Sequence, residues 1–200
     1  MRIEDEIKLT FDDVLIRPKR STLISRSEVH LERSFKFKHT ESVWNGVPIV
    51  SANMDTTGTF ETAISLQKHK MITAIHKFYT IDDWKKNISE LDPNYIAVTV
   101  GQSDDDLELA KNIFNLNNEI KFLCIDVANG YREDFINAVK KYRDTFNEKI
   151  IIAGNVATRE MTEALILAGA DIVKIGIGPG SVCTTRSVAG VGYPQLSSIS

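Results

Sequence analysis

Six short apolar runs, rich in β-branched residues, recur along this chain at a nearly constant interval. They begin at Val47 (VPIVS), Met71 (MITAI), Tyr95 (YIAVTV), Lys121 (KFLCID), Lys149 (KIIIAG) and Asp171 (DIVKIG), which spaces them 24, 24, 26, 28 and 22 residues apart. Runs without polar alternation suit strands buried on both faces, as in a parallel sheet. The intervals carry helical patterns: Phe60 to Lys68, Ile81 to Leu91, Leu107 to Phe114, Arg132 to Tyr142 and Glu160 to Leu167. Thr80 with Asp83, and Ser103 with Asp106, have the spacing of capping boxes with Asp in place of Glu. Gly169 stops the last helix. Strand and helix alternating at this beat form βαβ units, which wind right-handed into a parallel sheet.

An open doubly wound sheet and a (β/α)8 barrel both fit this rhythm. The first strand runs into SANMD rather than a GxGxxG turn, which disfavours a dinucleotide-binding Rossmann sheet. A barrel of the TIM type needs eight βα units and about 250 residues. On that reading residues 1–200 are one barrel domain holding about six of the eight units. Residues 1–46 then form an extension before the first barrel strand, and two units are expected beyond Ser200. Six strands left open would expose apolar edges prone to association.

Composition narrows the function classes. The net charge is -3 with 26% charged residues, so no clustered positive surface for nucleic acid is expected. The basic run Arg17, Lys19, Arg20 is broken by Pro18 and reads as a solvated turn. No stretch approaches the roughly 18 apolar residues of a membrane helix. The start MRIEDEIKLTF has no apolar core, so it is not a secretory signal, and a cytoplasmic location follows. Cys124 and Cys183 are therefore read as thiols, without CxxC or HxxxH metal spacing.

In parallel βα folds the site lies at the carboxyl ends of the strands. Polar residues gather there: Ser51, Asn53, Met54 and Asp55, then His76 and Lys77, Asp126 and Asn129, and Asn155. Each has a structural reading as well. Asn53 and Asp55 suit a turn or cap, Lys77 a solvated surface, and Asp126 with Asn129 and Gly130 an ordinary turn. Cys124 sits within an apolar strand and reads as a buried inert thiol. The last of these ends is GIGPGSVCTTR, from Gly176 to Arg186. Its glycines and proline exclude a helix or strand interior and let the backbone approach a ligand. Grouped N–H donors with the Ser181 hydroxyl suit a phosphate, and grouped carbonyls suit a monovalent cation. Cys183 beside Arg186 is placed for a lowered thiol pKa, and the thiolate is the nucleophile.

GIGPGSVCTTR followed by VAGVGYPQ resembles the catalytic loop of the IMP dehydrogenase/GMP reductase family. LTFDDVLIRPKRS, NMDTTGTFETA, AIHKFYT, DVANGY and AGNVAT resemble family segments in the family's order, so the resemblance covers essentially the whole chain. Within the family, dehydrogenases usually carry a regulatory insertion after the second strand. Here IHKFYTIDDW runs through one helix into YIAVTVG, and DVANGY, AIHKFYT and Tyr193 resemble the reductase branch.

The resemblance implies an NADPH-dependent reductive deamination of GMP to IMP with release of ammonia, in purine nucleotide interconversion; the alternatives are an IMP dehydrogenase-like catalytic domain and an inactive nucleotide-binding fragment. Cys183 would attack purine C2 to give a thioimidate, and Thr185 matches the proton-transfer threonine, whose glutamate partner lies beyond Ser200. Lys77 and Asp126 match residues near the cofactor and the reacting amine. Val127, Ala128, Ile177 and Gly178 match cofactor contacts, and Ser25 and Arg26 a pair that reaches a neighbouring subunit's cofactor. Ser181, Asn155 and Asp55 are the expected substrate contacts. Gly178, Gly180 and Cys183, joined by Arg186, match a potassium site. A homotetramer is implied too.

Overall fold

The computed structural model describes residue 3 and residues 5–200. Met1, Arg2 and Glu4, part of the charged start, lie outside the described residues. The chain opens with an antiparallel hairpin, β1 (Arg33–Lys36) and β2 (Val43–Gly46). There follow β3 (Val50–Ser51), α1 (Phe60–Leu66), β4 (Ile72–Ile75), α2 (Ile81–Asn87), β5 (Ile96–Val100), α3 (Asp104–Leu116), β6 (Phe122–Asp126), α4 (Glu133–Thr145), β7 (Ile150–Val156), α5 (Arg159–Leu167) and β8 (Ile172–Ile175). Two short helices, α6 (Thr185–Ala189) and α7 (Gln195–Ile199), complete it.

Strands β3 to β8 pair in parallel and in sequence order. A doubly wound sheet reverses its order at a switch point, and this one does not. The sheet also curls. Lys174 on β8 donates from Nζ to Asn53 Oδ1, just beyond β3, at 2.6 Å. The two edge strands of the sheet thus meet across its interior, which settles the architecture as a partial (β/α)8 barrel.

Successive side chains along a strand point to opposite faces, and both faces here are apolar. Ile72, Ala74, Ala97, Phe122, Cys124, Ile150 and Ile152 share one cluster on the concave face. Ile75, Ile96, Val98, Val100, Leu123, Ile125, Ile151 and Ala153 pack outward against Phe60, Trp84, Leu107, Phe135, Val139 and Leu165 of the helices. The hairpin closes the amino-terminal end. Trp44 of β2 packs edge-on to Phe122 at 5.9 Å between ring centres, and its Nε1 donates to Asn94 O at 2.9 Å.

The caps form as the spacing predicts. The Thr80 hydroxyl accepts from the Asp83 amide while Asp83 accepts from the Thr80 amide, and Ser103 and Asp106 repeat the exchange. Some bounds differ. The final turns of the first two helical segments tighten into 3-10 geometry at Gln67–His69 and Ile88–Glu90. The first barrel strand keeps only two paired residues. The hairpin lies within residues 1–46, where the sequence shows no continuous apolar run, because β1 is exposed along its length and β2 alternates. Among the described residues, no helix is long and apolar enough to cross a membrane.

Candidate functional site

A cavity of about 810 Å³ opens at the carboxyl ends of the strands, within the range of small-ligand sites. Cys124 of β6 and Ile152 of β7 form part of its floor, so the apolar interior of the sheet becomes the base of the site. Ser51, Asn53, Met54, Lys77, Asp126, Val127, Ala128, Asn155 and Lys174 line it, together with the Gly176–Pro179 stretch and Thr185. A second cavity, of about 910 Å³, lies between the amino-terminal segment, α5 and α7. It takes none of these strand-end residues.

The strand-end residues divide by what they touch. His76 is buried; its Nδ1 accepts from the Phe78 amide, and its ring stacks on Tyr79 with centres 4.0 Å apart. It builds the loop and does not line the cavity. Asn129 does the work of a turn, accepting from the Tyr131 amide through Oδ1. Asp126 instead faces the cavity, where Lys174 donates to its Oδ1. Asn155 reaches the cavity where the β7–β8 register slips between Gly154 and Val156. Such a slip re-aims side chains. Asn155 Nδ2 donates to Gly176 O at 2.9 Å and anchors the start of the glycine loop. Gly154 is required there, since a Cβ would fall 2.5 Å from the Lys174 backbone and Cβ.

The loop after β8 carries Cys183. Gly178 has φ of +63°, and a Cβ on it would meet Val191 O at 3.1 Å and Arg186 Cγ at 3.2 Å. Only glycine adopts this conformation without strain. The Tyr193 amide donates to Ile177 O, and the Cys183 amide and Arg186 Nη2 both donate to Gly180 O, so the loop closes on itself. Cys183 Sγ lies 3.3 Å from Thr185 Oγ1. The thiol donates to that hydroxyl; once ionised, it accepts from the Thr185 hydroxyl and amide. Those bonds, with the charge of Arg186, hold its pKa below the ordinary thiol value. Cys124 is the opposite case: burial pushes its pKa up to about 11. Both cysteines are free, and only Cys183 is accessible and activated.

Of the remaining expected contacts, Gly178 lines the cavity, while Gly180, Cys183 and Arg186 stand on the same loop outside its lining. Asp55 is exposed on the turn after β3, and Ser181 is exposed on the loop; neither lines the cavity. Ser25 caps a 3-10 turn begun by Arg26, on the exposed amino-terminal arm. Gly178, Gly180, Cys183 and Arg186 share the loop, with the Arg186 guanidinium on the Gly180 carbonyl. Lys174 is the site residue that periodicity conceals: an ammonium inside the apolar run DIVKIG, bonded to Asn53 and Asp126. Its signal is a charge in the middle of a buried strand.

A parallel βα barrel with an activated cysteine on a glycine loop at its carboxyl end is the class that fold and site define. The chain belongs to the IMP dehydrogenase / GMP reductase domain family, whose model matches residues 8–200. It is 57% identical over 202 aligned residues to a GMP reductase of Buchnera aphidicola subsp. Acyrthosiphon pisum (strain Tuc7), covering all of this chain and 58% of that protein. A GMP reductase of Escherichia coli O81 (strain ED1a) is 56% identical with the same coverage. The crystal structure of inosine 5' monophosphate dehydrogenase from Legionella pneumophila superposes with a TM-score of 0.83 at 32% identity, over 96% of this chain and 58% of that one. The chain thus spans somewhat over half the length of the relatives it matches.

Proposed function

We propose that the protein carrying this chain is a GMP reductase, converting GMP, NADPH and two protons into IMP, ammonium and NADP. The observation that carries the reading is the Cys183–Thr185 pair, 3.3 Å apart beside Arg186, on a glycine loop that meets, through Thr185, a cavity lined by Asp126 and Lys77. Identity to proteins named GMP reductase supports it. So does the direct passage from β4 through α2 to β5, which leaves no place for the insertion usual in the dehydrogenases.

In this reading the Cys183 thiolate attacks purine C2, and the C2–NH2 bond breaks as the amine leaves. Covalent capture divides one difficult substitution into two easier steps. The amine leaves only when protonated, so a proton must reach it. Thr185, whose hydroxyl is 3.3 Å from the reacting sulfur, passes the proton, and Asp126 and Lys77 face the departing group. NADPH, when bound, would supply a hydride to C2; the C2–Sγ bond then breaks, which returns the Cys183 thiolate and leaves hydrogen where the amine stood. The cavity suits that cofactor: Met54, Val127, Ala128 and Ile177 give it an apolar wall, Lys77 and Lys174 place cations in it, and Gly178 removes a side chain from its rim. Lys77, Asp126, Val127, Ala128, Ile177 and Gly178 would hold the cofactor, with Ser25 and Arg26 reaching one on a neighbouring copy. Asn155, Ser181 and Asp55 are the proposed nucleotide contacts. Carbonyls of Gly178, Gly180 and Cys183 are the donors proposed for potassium; Gly180 O, which here accepts from the Cys183 amide and Arg186 Nη2, would have to release one of them. A cytoplasmic homotetramer is the proposed working form.

The test is stoichiometry. The full natural polypeptide, given GMP and NADPH, should yield one ammonium and one IMP per NADPH consumed. Turnover of IMP with NAD and water, without reaction of GMP, would replace this reading with a dehydrogenase.

A further inference from the structure

We infer that Lys174 is a positioning residue of this site, acting through Asp126 and Asn53. The inference rests on the proposed GMP reductase reading and deepens it. Lys174 lies on β8, at the edge of the curled sheet, and Asp126 ends β6, two strands away. Asn53 follows β3 at the opposite edge. One ammonium bonds both, at 2.6 Å to Asn53 Oδ1 and in a close ion pair with Asp126 Oδ1. Lys174 and Asp126 keep side-chain exposures of 26% and 22%, and that exposure opens into the cavity.

The pairing has a geometric consequence. A carboxylate has two oxygens and a rotatable bond to its own chain. With Oδ1 fixed on Lys174, Oδ2 is the oxygen left for a ligand, and its direction is set. Lys174 also gathers three strand ends around one charge, so the shape of the floor depends on it. An ammonium has three N–H groups, and two are used in these bonds; the third is available at the cavity wall. A surface lysine would not do this, because an exposed pair is worth little and does not hold one geometry. Half-burial beneath an apolar sheet is what makes the pair directional.

The experiment is a double-mutant cycle on the full natural polypeptide: Lys174→Met, Asp126→Asn and both together, with Lys174→Arg as the conservative variant. NADPH oxidation with GMP is resolved into kcat and KM, and folding is checked by thermal unfolding. The expected result is a kcat loss of roughly 100-fold in Lys174→Met, the cost of misplacing a reacting group by about an ångström, with a smaller change in the KM for GMP. Lys174→Arg should recover part of the rate. In the Asp126→Asn background the same lysine substitution should cost little, because the two act as a unit. A purely structural lysine would lower stability and cost the same factor in both backgrounds, which would overturn the inference. So would wild-type kinetics in Lys174→Met. If the parent protein instead oxidises IMP with NAD, the reductase reading fails while the cycle, run on that reaction, still decides the role of Lys174. A parent with neither reaction removes both.

Discussion

At the scale of single residues, the two cysteines show how position decides chemistry. Cys124 sits on the concave face of β6, where burial opposes ionisation. Cys183 sits on an exposed loop with Thr185 and Arg186 arranged to stabilise the thiolate. A group whose pKa is lowered ionises at lower pH, so alkylation of Cys183 by iodoacetamide should reach half its maximal rate below the ordinary thiol value of about 8.5. Thr185→Val removes the first of those hydrogen bonds and should move that midpoint upward; an unchanged midpoint would leave Thr185 with no part in activation. Cys124 should stay unmodified until the protein unfolds. The setting of both thiols was legible in the sequence, one buried in an apolar run and one on a glycine loop. Lys174 was not, because a strand period reports burial and says nothing of which distant side chain a buried charge will meet.

At the scale of elements, the caps were legible because they are local: a hydroxyl and a carboxylate three residues apart satisfy the first turn whatever the fold. Ser103 and Asp106 open α3, which buries Leu107, Ala110, Ile113 and Phe114. Burial pulls the Asp106 carboxyl upward, but bonds from Ser103 and the Gly101 amide outweigh it and leave the pKa lowered. A carboxylate with a lowered folded pKa contributes stability above its unfolded pKa of about 3.9, and that contribution is lost as pH falls through the folded value. Ser103→Ala should cost about 1 kcal/mol at neutral pH, measured by urea unfolding, and the cost should shrink in acid. A cost that grows in acid would reverse the argument. The β1–β2 hairpin was less legible, since its stability comes from Trp44 meeting Phe122 and Asn94, far away in sequence.

At the scale of the whole molecule, the strand interval predicted βα units but left sheet or barrel open. Strand order and the Lys174–Asn53 contact across the sheet decide it, and both are long-range facts. A second long-range tie lies at the other end. The Asp171 carboxylate is fully buried and pairs with Arg143 at 2.5 Å, while also accepting from the Ile151 and His39 amides. Arg143 in turn donates to Gly169 O and Lys149 O. Hairpin, β7, α4 and the turn before β8 therefore share one ion pair. Asp171→Ala leaves the guanidinium largely buried without its carboxylate and should cost roughly 3–5 kcal/mol. A loss under about 1 kcal/mol by urea unfolding would show that the pair is dispensable.

All three scales converge on Cys183, held by loop, strand end and curled sheet beside the cavity. The most direct test compares GMP-dependent NADPH oxidation by the full natural polypeptide and by its Cys183→Ala variant, with folding of both confirmed. The expected result is turnover in the parent and its loss in the variant. Equal turnover in the two would contradict the account, because no other thiol in this chain is placed to attack the purine.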